Sequence, residues 1–240
     1  MKNPIHSSLT RRTLMLAAAS LALVPAALAQ GTKPKIGFIG AGRVGGLLAK
    51  FWTKAGYQVM LSARDLGPVK ELAAQLGPNA HVGTSAEAAA WGDVVVVTVP
   101  YGALPQVGRD YAAQLKGKVV LDTCNPSLKR DGDMAKDGLE KGTGVVDQTY
   151  LPGVRLVRAF NAITVQAMDD GANRPGERIG VALAADDAKA LAVAKQLVID
   201  AGFEPVVTGG LATAKSFDTG TAVYPKAIPA GQLKQMLGVK

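Results

Sequence analysis

Gly40-Ala41-Gly42-Arg43-Val44-Gly45 follows the run Ile36-Gly37-Phe38-Ile39 directly and leads into residues 44–54, which have a helical apolar pattern. A G-x-G-x-x-G between a strand and a helix is suited to holding a dinucleotide. Gly40 permits the tight turn, Gly42 lets the backbone approach a diphosphate with no Cβ in the way, and Gly45 lets helix and strand pack closely. The diphosphate would rest on the helix N-terminus, whose free N–H groups and dipole favour an anion. All six residues, Ala41, Arg43 and Val44 included, are candidate cofactor contacts. Gly209-Gly210 lacks this context and is a weaker signal.

About twenty residues on, an acid would hold the ribose 2′-hydroxyl of NAD, whereas a basic group would accept the 2′-phosphate of NADP. The second strand ends Leu61-Ser62-Ala63-Arg64, with no acid at its tip. A guanidinium forks onto phosphate and the Ser62 hydroxyl could add a donor, so NADP(H) is favoured over the alternative in which Asp65 takes the ribose. Further candidates lie where later strands end, because ligands bind at the carboxyl edge of open parallel sheets. These are Thr98, Val99 and Pro100, followed by Tyr101, and Asn125 within Asp122-Thr123-Cys124-Asn125-Pro126.

Cys124 could be a nucleophile on position alone, but no histidine is near, and a small packed side chain is expected. His81 is expected to pack or face solvent. None of Tyr57, Tyr101, Tyr111, Tyr150 and Tyr224 has Lys four residues on, which disfavours a Tyr-x-x-x-Lys alcohol dehydrogenase. Hydride exchange with a flavin-like ring asks less of the protein, since the cofactors carry the chemistry and the fold stacks two rings.

These residues need elements to position them. Apolar strand runs at 35–39, 58–61, 80–83, 93–99 and 118–122 alternate with helical stretches at 44–54, 68–76, 85–91 and 104–115, the third capped by Ser85 with Glu87 nearby. That rhythm predicts an α/β fold with a doubly wound parallel sheet of Rossmann type. Val94-Val95-Val96-Val97 reads as a central strand covered on both faces. The rhythm continues through 156–160, 179–184, a helix over 186–201 and 205–207, and residues 151–240 are expected to form a small C-terminal α/β appendage for the acceptor. The dinucleotide-binding domain is placed at 30–150.

Residues 1–29 are expected to leave the mature protein. Arg11-Arg12, an apolar run through Val24 and Ala27-Leu28-Ala29 resemble a twin-arginine export signal, too short to span a bilayer, and imply a periplasmic or exported protein. Removing its three basic residues takes the formal charge from +8 to +5 over the remaining 211 of 240 residues. Near-half apolar content excludes a disordered chain, and one cysteine excludes a disulfide framework and a cysteine-built zinc site. Basic residues are interspersed with acids, as in Lys129-Arg130-Asp131, so nucleic acid is not an expected partner. No membrane span or metal site is expected in the mature chain, and a homodimer is left open.

The strand with Gly40–Gly45, the Ser62-Ala63-Arg64 tip, Val96-Val97-Thr98-Val99-Pro100, Asp122–Pro126 and Val157-Arg158-Ala159-Phe160-Asn161-Ala162-Ile163 carry a resemblance. So do Ala185-Asp186-Asp187, Gly202-Phe203-Glu204-Pro205 and Gly209-Gly210-Leu211. From about residue 35 to 215 the chain resembles the coenzyme F420 (deazaflavin)-dependent NADP oxidoreductases, whose fold is similar to the cytoplasmic reductase domain of the animal metalloreductases. The resemblance implies hydride transfer between NADP(H) and a flavin, deazaflavin or ferric chelate as small-molecule acceptor. It also implies the 2′-phosphate on Ser62 and Arg64, ring stacking by Ala159, Phe160 and Asn161, and a second ring against Gly209, Gly210 and Leu211. Relatives carry Ser where this chain has Ala63, and a more continuous apolar helix where its tail is broken by Pro225 and Pro229. The alternatives are an imine reductase resembling pyrroline-carboxylate reductase and a non-catalytic exported NADP-binding protein.

Overall fold

The computed structural model describes residues 33–240, and the leader expected over residues 1–29 lies outside them. Eight strands form one sheet: Ile36–Ile39 (β1), Val59–Leu61 (β2), Ala80–Val82 (β3), Val94–Val97 (β4), Val119–Asp122 (β5), Arg155–Ala159 (β6), Gly180–Ala185 (β7) and Glu204–Gly209 (β8). Their spatial order is β3-β2-β1-β4-β5-β6-β7-β8. The direction of winding reverses between β1 and β4, which makes that junction the switch point where such sheets bind ligands. All four β4 side chains are buried, Val94 and Val96 in the core on one face and Val95 and Val97 in the core on the other. An unbroken valine run needs just such two-sided cover.

The helices are Arg43–Lys54 (α1), Gly67–Leu76 (α2), Ser85–Trp91 (α3), Leu104–Asp110 (α4), Ala112–Leu115 (α5), Leu128–Asp131 (α6), Met134–Lys141 (α7), Thr143–Tyr150 (α8), Val165–Gly171 (α9), Ala188–Asp200 (α10) and Ala230–Leu237 (α11). Two 3-10 segments, Tyr101–Ala103 and Leu211–Phe217, join them. α1 and α10 share a face. Trp52 of α1 is fully buried against Phe38 and Phe160, and its Nε1–H donates to the Leu197 carbonyl of α10 at 2.9 Å.

Several expectations need correction. The stretch at 104–115 breaks at Tyr111 into α4 and α5 and is preceded by a 3-10 turn over Tyr101–Ala103. α3 is capped by Thr84 rather than Ser85, with Thr84 and Glu87 forming a reciprocal capping box. Residues 151–240 are not spatially set apart, because β6, β7 and β8 continue the same sheet and residues 33–240 form a single compact unit. The sheet is also not wholly parallel, since β7 pairs with β6 antiparallel and β8 then runs parallel to β7. The proline-broken tail still ends in a helix: α11 begins directly after Pro229, where a residue lacking an N–H is tolerated, and packs Leu233 over Gly180.

Trp52→Phe removes both ring volume and the bond to α10. Urea unfolding is expected to register a loss of about 2–4 kcal/mol with no change in secondary structure.

Candidate functional site

Each glycine of the first loop meets a different constraint. Gly40 has φ +98°, and a Cβ there would lie 2.6 Å from the Thr98 carbonyl oxygen at the end of β4. Gly45 is buried, and its Cβ would lie 2.6 Å from Thr98 Oγ1, which itself donates to the Gly40 carbonyl. Those two residues are glycine because the ends of β1, β4 and α1 touch. Gly42 is different: it is exposed, and a Cβ there would meet nothing within 4 Å. Gly42 is the N-cap of α1 and no side chain caps that end. The first turn of α1 carries no acid, so its amides face outward over an open cradle, with the exposed Arg43 beside it. A diphosphate fits such a site on grounds of charge and free N–H donors. Ala41 and Val44 pack inward against the core.

At the tip of β2 the expected pair separates. Ser62 is fully buried and its hydroxyl donates to the Phe38 carbonyl at 2.6 Å, with Ser85 Oγ 3.0 Å away. It braces β1 against β2 and does not face a phosphate. Arg64 is exposed and, among the described residues, makes no hydrogen bond or ion pair. Asp65 Oδ1 accepts the Gly67 N–H at 2.9 Å, so this carboxylate is engaged at the start of α2. Ala63 is half-buried against the core.

Across the switch point, Thr98 and Val99 are half-buried and Pro100 is exposed at the carboxyl edge. Asp131 staples the two neighbouring loops, accepting Gly102 N–H at 3.1 Å and Ser127 N–H at 2.9 Å while paired with Arg130 at 2.7 Å. Arg130 also donates to the Asn125 carbonyl at 2.7 Å, and it holds the Asp131 carboxyl below its ordinary range. Asn125 Nδ2 donates to the Asn161 carbonyl at 2.8 Å, which ties the end of β5 to the end of β6.

The ring-stacking candidates do not assemble. Ala159 is buried; Phe160, at φ +59°, turns its ring into the core at 6.1 Å from Trp52 and 6.0 Å from Phe203; and Asn161 Nδ2 lies 3.4 Å from the Asp218 carboxylate. Gly210 and Leu211 lie away from the edge. Because β8 runs counter to β6, Gly209 is level with Ala184, Arg158 and Asp122, and the chain beyond it heads toward the opposite edge. There Leu211 is buried, with its N–H on Asp186 at 2.8 Å. Cys124 is buried, and burial pushes its thiol well above the ordinary range, as befits a packed residue. His81 lies exposed on β3 with its ring edge-on to Trp91 at 5.5 Å.

A group of residues beneath this edge went unread in the sequence as a site. Arg158 is fully buried; its Nη1 is 2.7 Å from Asp122 and 3.3 Å from Asp147, and its Nη2 is 3.7 Å from Asp218. Nη2 also donates to the Cys124 carbonyl at 2.8 Å. The one sequence signal was an arginine in mid-strand, flanked by Val157 and Ala159.

Residues 35–126 match the family described as NADP oxidoreductase, coenzyme F420-dependent. No curated protein sequence matches the chain. Among solved structures, the hypothetical protein SMa0349 from Sinorhizobium meliloti is 21% identical with a TM-score of 0.70, covering 83% of this chain and 97% of that one. A protein assigned as an F420-dependent NADP reductase from Arthrobacter sp. FB24 is 24% identical with a TM-score of 0.62, covering 76% and 88%. An imine reductase from Myxococcus stipitatus in complex with NADP+ is 20% identical with a TM-score of 0.57, covering 85% and 62%. At these identities the solved structures establish the shared Rossmann-like fold. The matched segment holds the glycine loop, the Arg64 tip and the carboxyl ends of β4 and β5.

Proposed function

We propose that this protein transfers hydride between NADP(H) and a flavin- or deazaflavin-type acceptor. The observation that carries the reading is the open cradle at Gly42. Two glycines of the loop are set by contacts inside the protein, whereas the third answers to nothing in the protein and faces uncapped helix amides. Bound NADP(H) supplies the hydride carrier. The chain's own residues bind and orient it: the first-turn amides of α1 take the diphosphate, Arg64 takes the 2′-phosphate, and Thr98, Val99, Pro100 and Asn125 line the nicotinamide half.

Tyr101 and Cys124, the ionisable side chains closest in sequence to that edge, are both buried with their protons held tightly. A site so arranged favours an acceptor that takes hydride into a conjugated ring, where proximity and orientation carry the rate. The family's own description names a deazaflavin coenzyme, which supports the same class. The Arg11-Arg12 leader adds an export route that carries folded proteins, so the reading includes NADP(H) travelling already bound. Mass spectrometry of the exported protein is expected to find the nucleotide, and its absence would refute that part.

Gly42→Ala is expected to leave thermal stability unchanged and to weaken NADPH binding about tenfold or more, because only the ligand meets the new methyl. Gly45→Ala should instead destabilise the fold, since its methyl would meet Thr98. Calorimetric titration of the two variants separates the effects. Arg64→Ala is expected to cut the preference for NADPH over NADH about 10–100-fold, the range for losing a charge-assisted bond. Equal affinities for both nucleotides in the unmodified protein would defeat the assignment of that guanidinium.

A further inference from the structure

We propose that Asp147 is a positioning residue for the nicotinamide half of the site, a neutral carboxylic acid beside Asp122 that lets Arg158 hold the loops carrying Asn125 and Asn161. The inference rests on the dinucleotide reading above. It starts from charge. Arg158, Asp122, Asp147 and Asp218 are all buried, so one cation faces three carboxyl groups out of water. Asp122 has Nη1 of Arg158 at 2.7 Å and the Cys124 N–H at 2.8 Å. Asp218 has the Thr143 N–H at 2.8 Å and the Thr143 hydroxyl at 2.6 Å.

Asp147 is less well served: Nη1 of Arg158 stands off at 3.3 Å, the Tyr101 hydroxyl lies nearby, and no backbone N–H reaches either carboxyl oxygen. An ionised carboxylate with so few donors in a dry interior is severely penalised, and two carboxylates sharing one site retain a proton. A proton on Asp147 reduces the excess negative charge of the group from two to one. Burial first, and then the charge of Asp122, pushes the Asp147 carboxyl up to about 9.

The surroundings hold no second counter-ion. Facing Asp147 are Tyr101 from the 3-10 turn, Asp122 from β5 and Arg158 from β6, while Cys124 and Asp218 stand around the same guanidinium. Tyr150 lies one turn further along α8 itself. On α7, Asp137 and Lys141 pair with each other at 2.9 Å on the surface. On α4, Arg109 and Asp110 are exposed and both engage Gln106. Lys215 donates to the Glu140 carbonyl at 2.5 Å. Arg158 is therefore the only described cation within ion-pair reach of Asp147. With Asp147 neutral, Arg158 stays on the Asp122 carbonyl at 3.3 Å and the Cys124 carbonyl at 2.8 Å, and the loop keeps Asn125 on Asn161. With Asp147 ionised, a second anion competes for Nη1 and the loop loosens.

The sign of the pH effect follows from linkage. The folded chain holds this proton more tightly than the unfolded chain, so its contribution to stability is lost as pH rises from the ordinary carboxylate range to about 9. Infrared spectroscopy of the intact chain is expected to find a protonated-carboxyl C=O band at neutral pH that Asp147→Asn removes. In the unmodified protein the band should bleach with a midpoint near 9. NADPH affinity should fall about tenfold or more across the same midpoint and stay flat in Asp147→Asn, whose amide carries no charge.

Absence of the band, or its survival in Asp147→Asn, overturns the proposal and leaves the dinucleotide reading standing. A band accompanied by pH-independent NADPH affinity overturns the positioning role. Failure to bind NADPH at any pH defeats the dinucleotide reading itself, and with it the positioning role, whatever the band does. Should Asp147→Asn not fold, Asp122→Asn removes the neighbouring charge and should move the bleaching midpoint to lower pH; an unmoved midpoint overturns the proposal.

Discussion

A guanidinium buried among carboxyl groups is the interaction around which the carboxyl edge is organised. Arg158 sits at zero exposure with Asp122 and Asp147, and Asp218 is nearly as deep. Each of these charges alone in the interior would cost several kcal/mol, so each is tolerable only where the others stand. The four residues come from β5, α8, β6 and the turn after the second 3-10 segment. Pairing of Asp122 with Arg158 fixes the last row of the β5–β6 ladder. Asp218 in turn accepts the first N–H of α8, where a negative charge suits the helix dipole. The loops that carry Asn125 and Asn161 thus take their positions from an electrostatic centre below them, in addition to apolar packing.

The reversal between β6 and β7 shapes the rest. Up to β6 every pairing in the sheet is parallel, so each strand delivers its C-terminal loop to the same edge. β7 and β8 instead present their N-terminal halves there. Ala159 pairs with Leu183, so Gly180, Val181 and Ala182 continue past the end of β6, and Glu204 to Val206 lie beside them. Side chains from this extension and from the tail, Val223, Lys226 and Leu233 among them, close over Phe160 and Ala162. On the outer side of Pro100 and Asn125, by contrast, the loops stapled by Asp131 are left exposed.

The readable parts of the sequence were those in which one local pattern has one structural solution. Val94–Val97 cannot be other than a two-sided strand, and a glycine hexad between strand and helix places its turn without help from the rest of the chain. The place of Arg64, exposed just beyond the tip of β2, was legible for the same reason. Direction was not legible: the segment at 179–184 has the same apolar character whichever way it runs, and only the antiparallel pairing of β7 with β6 sends the chain after β8 toward the opposite edge. Side-chain orientation was no more accessible, since the Ser62 hydroxyl could face a phosphate or the Phe38 carbonyl and only the β1–β2 pairing decides it. Leu128–Asp131 is a single turn, too short to show a helical period.

The buried charges were hidden for a different reason. Positions 122, 147, 158 and 218 are too far apart for any spacing rule, and each has an ordinary local explanation as a strand end, a helix surface or a loop acid. Arg158 alone breaks its context, because every residue of β6 from Leu156 to Ala159 is buried. A charge in such a strand requires a counter-charge that the neighbouring residues do not contain, and the partner must then come from elsewhere in the fold. That requirement points first to Asp122, which ends the preceding parallel strand with a carboxylate, as the position for an opposite charge. The cluster's excess of acid over base is what remains beyond sequence reasoning, and it is this excess that makes a proton part of the folded structure.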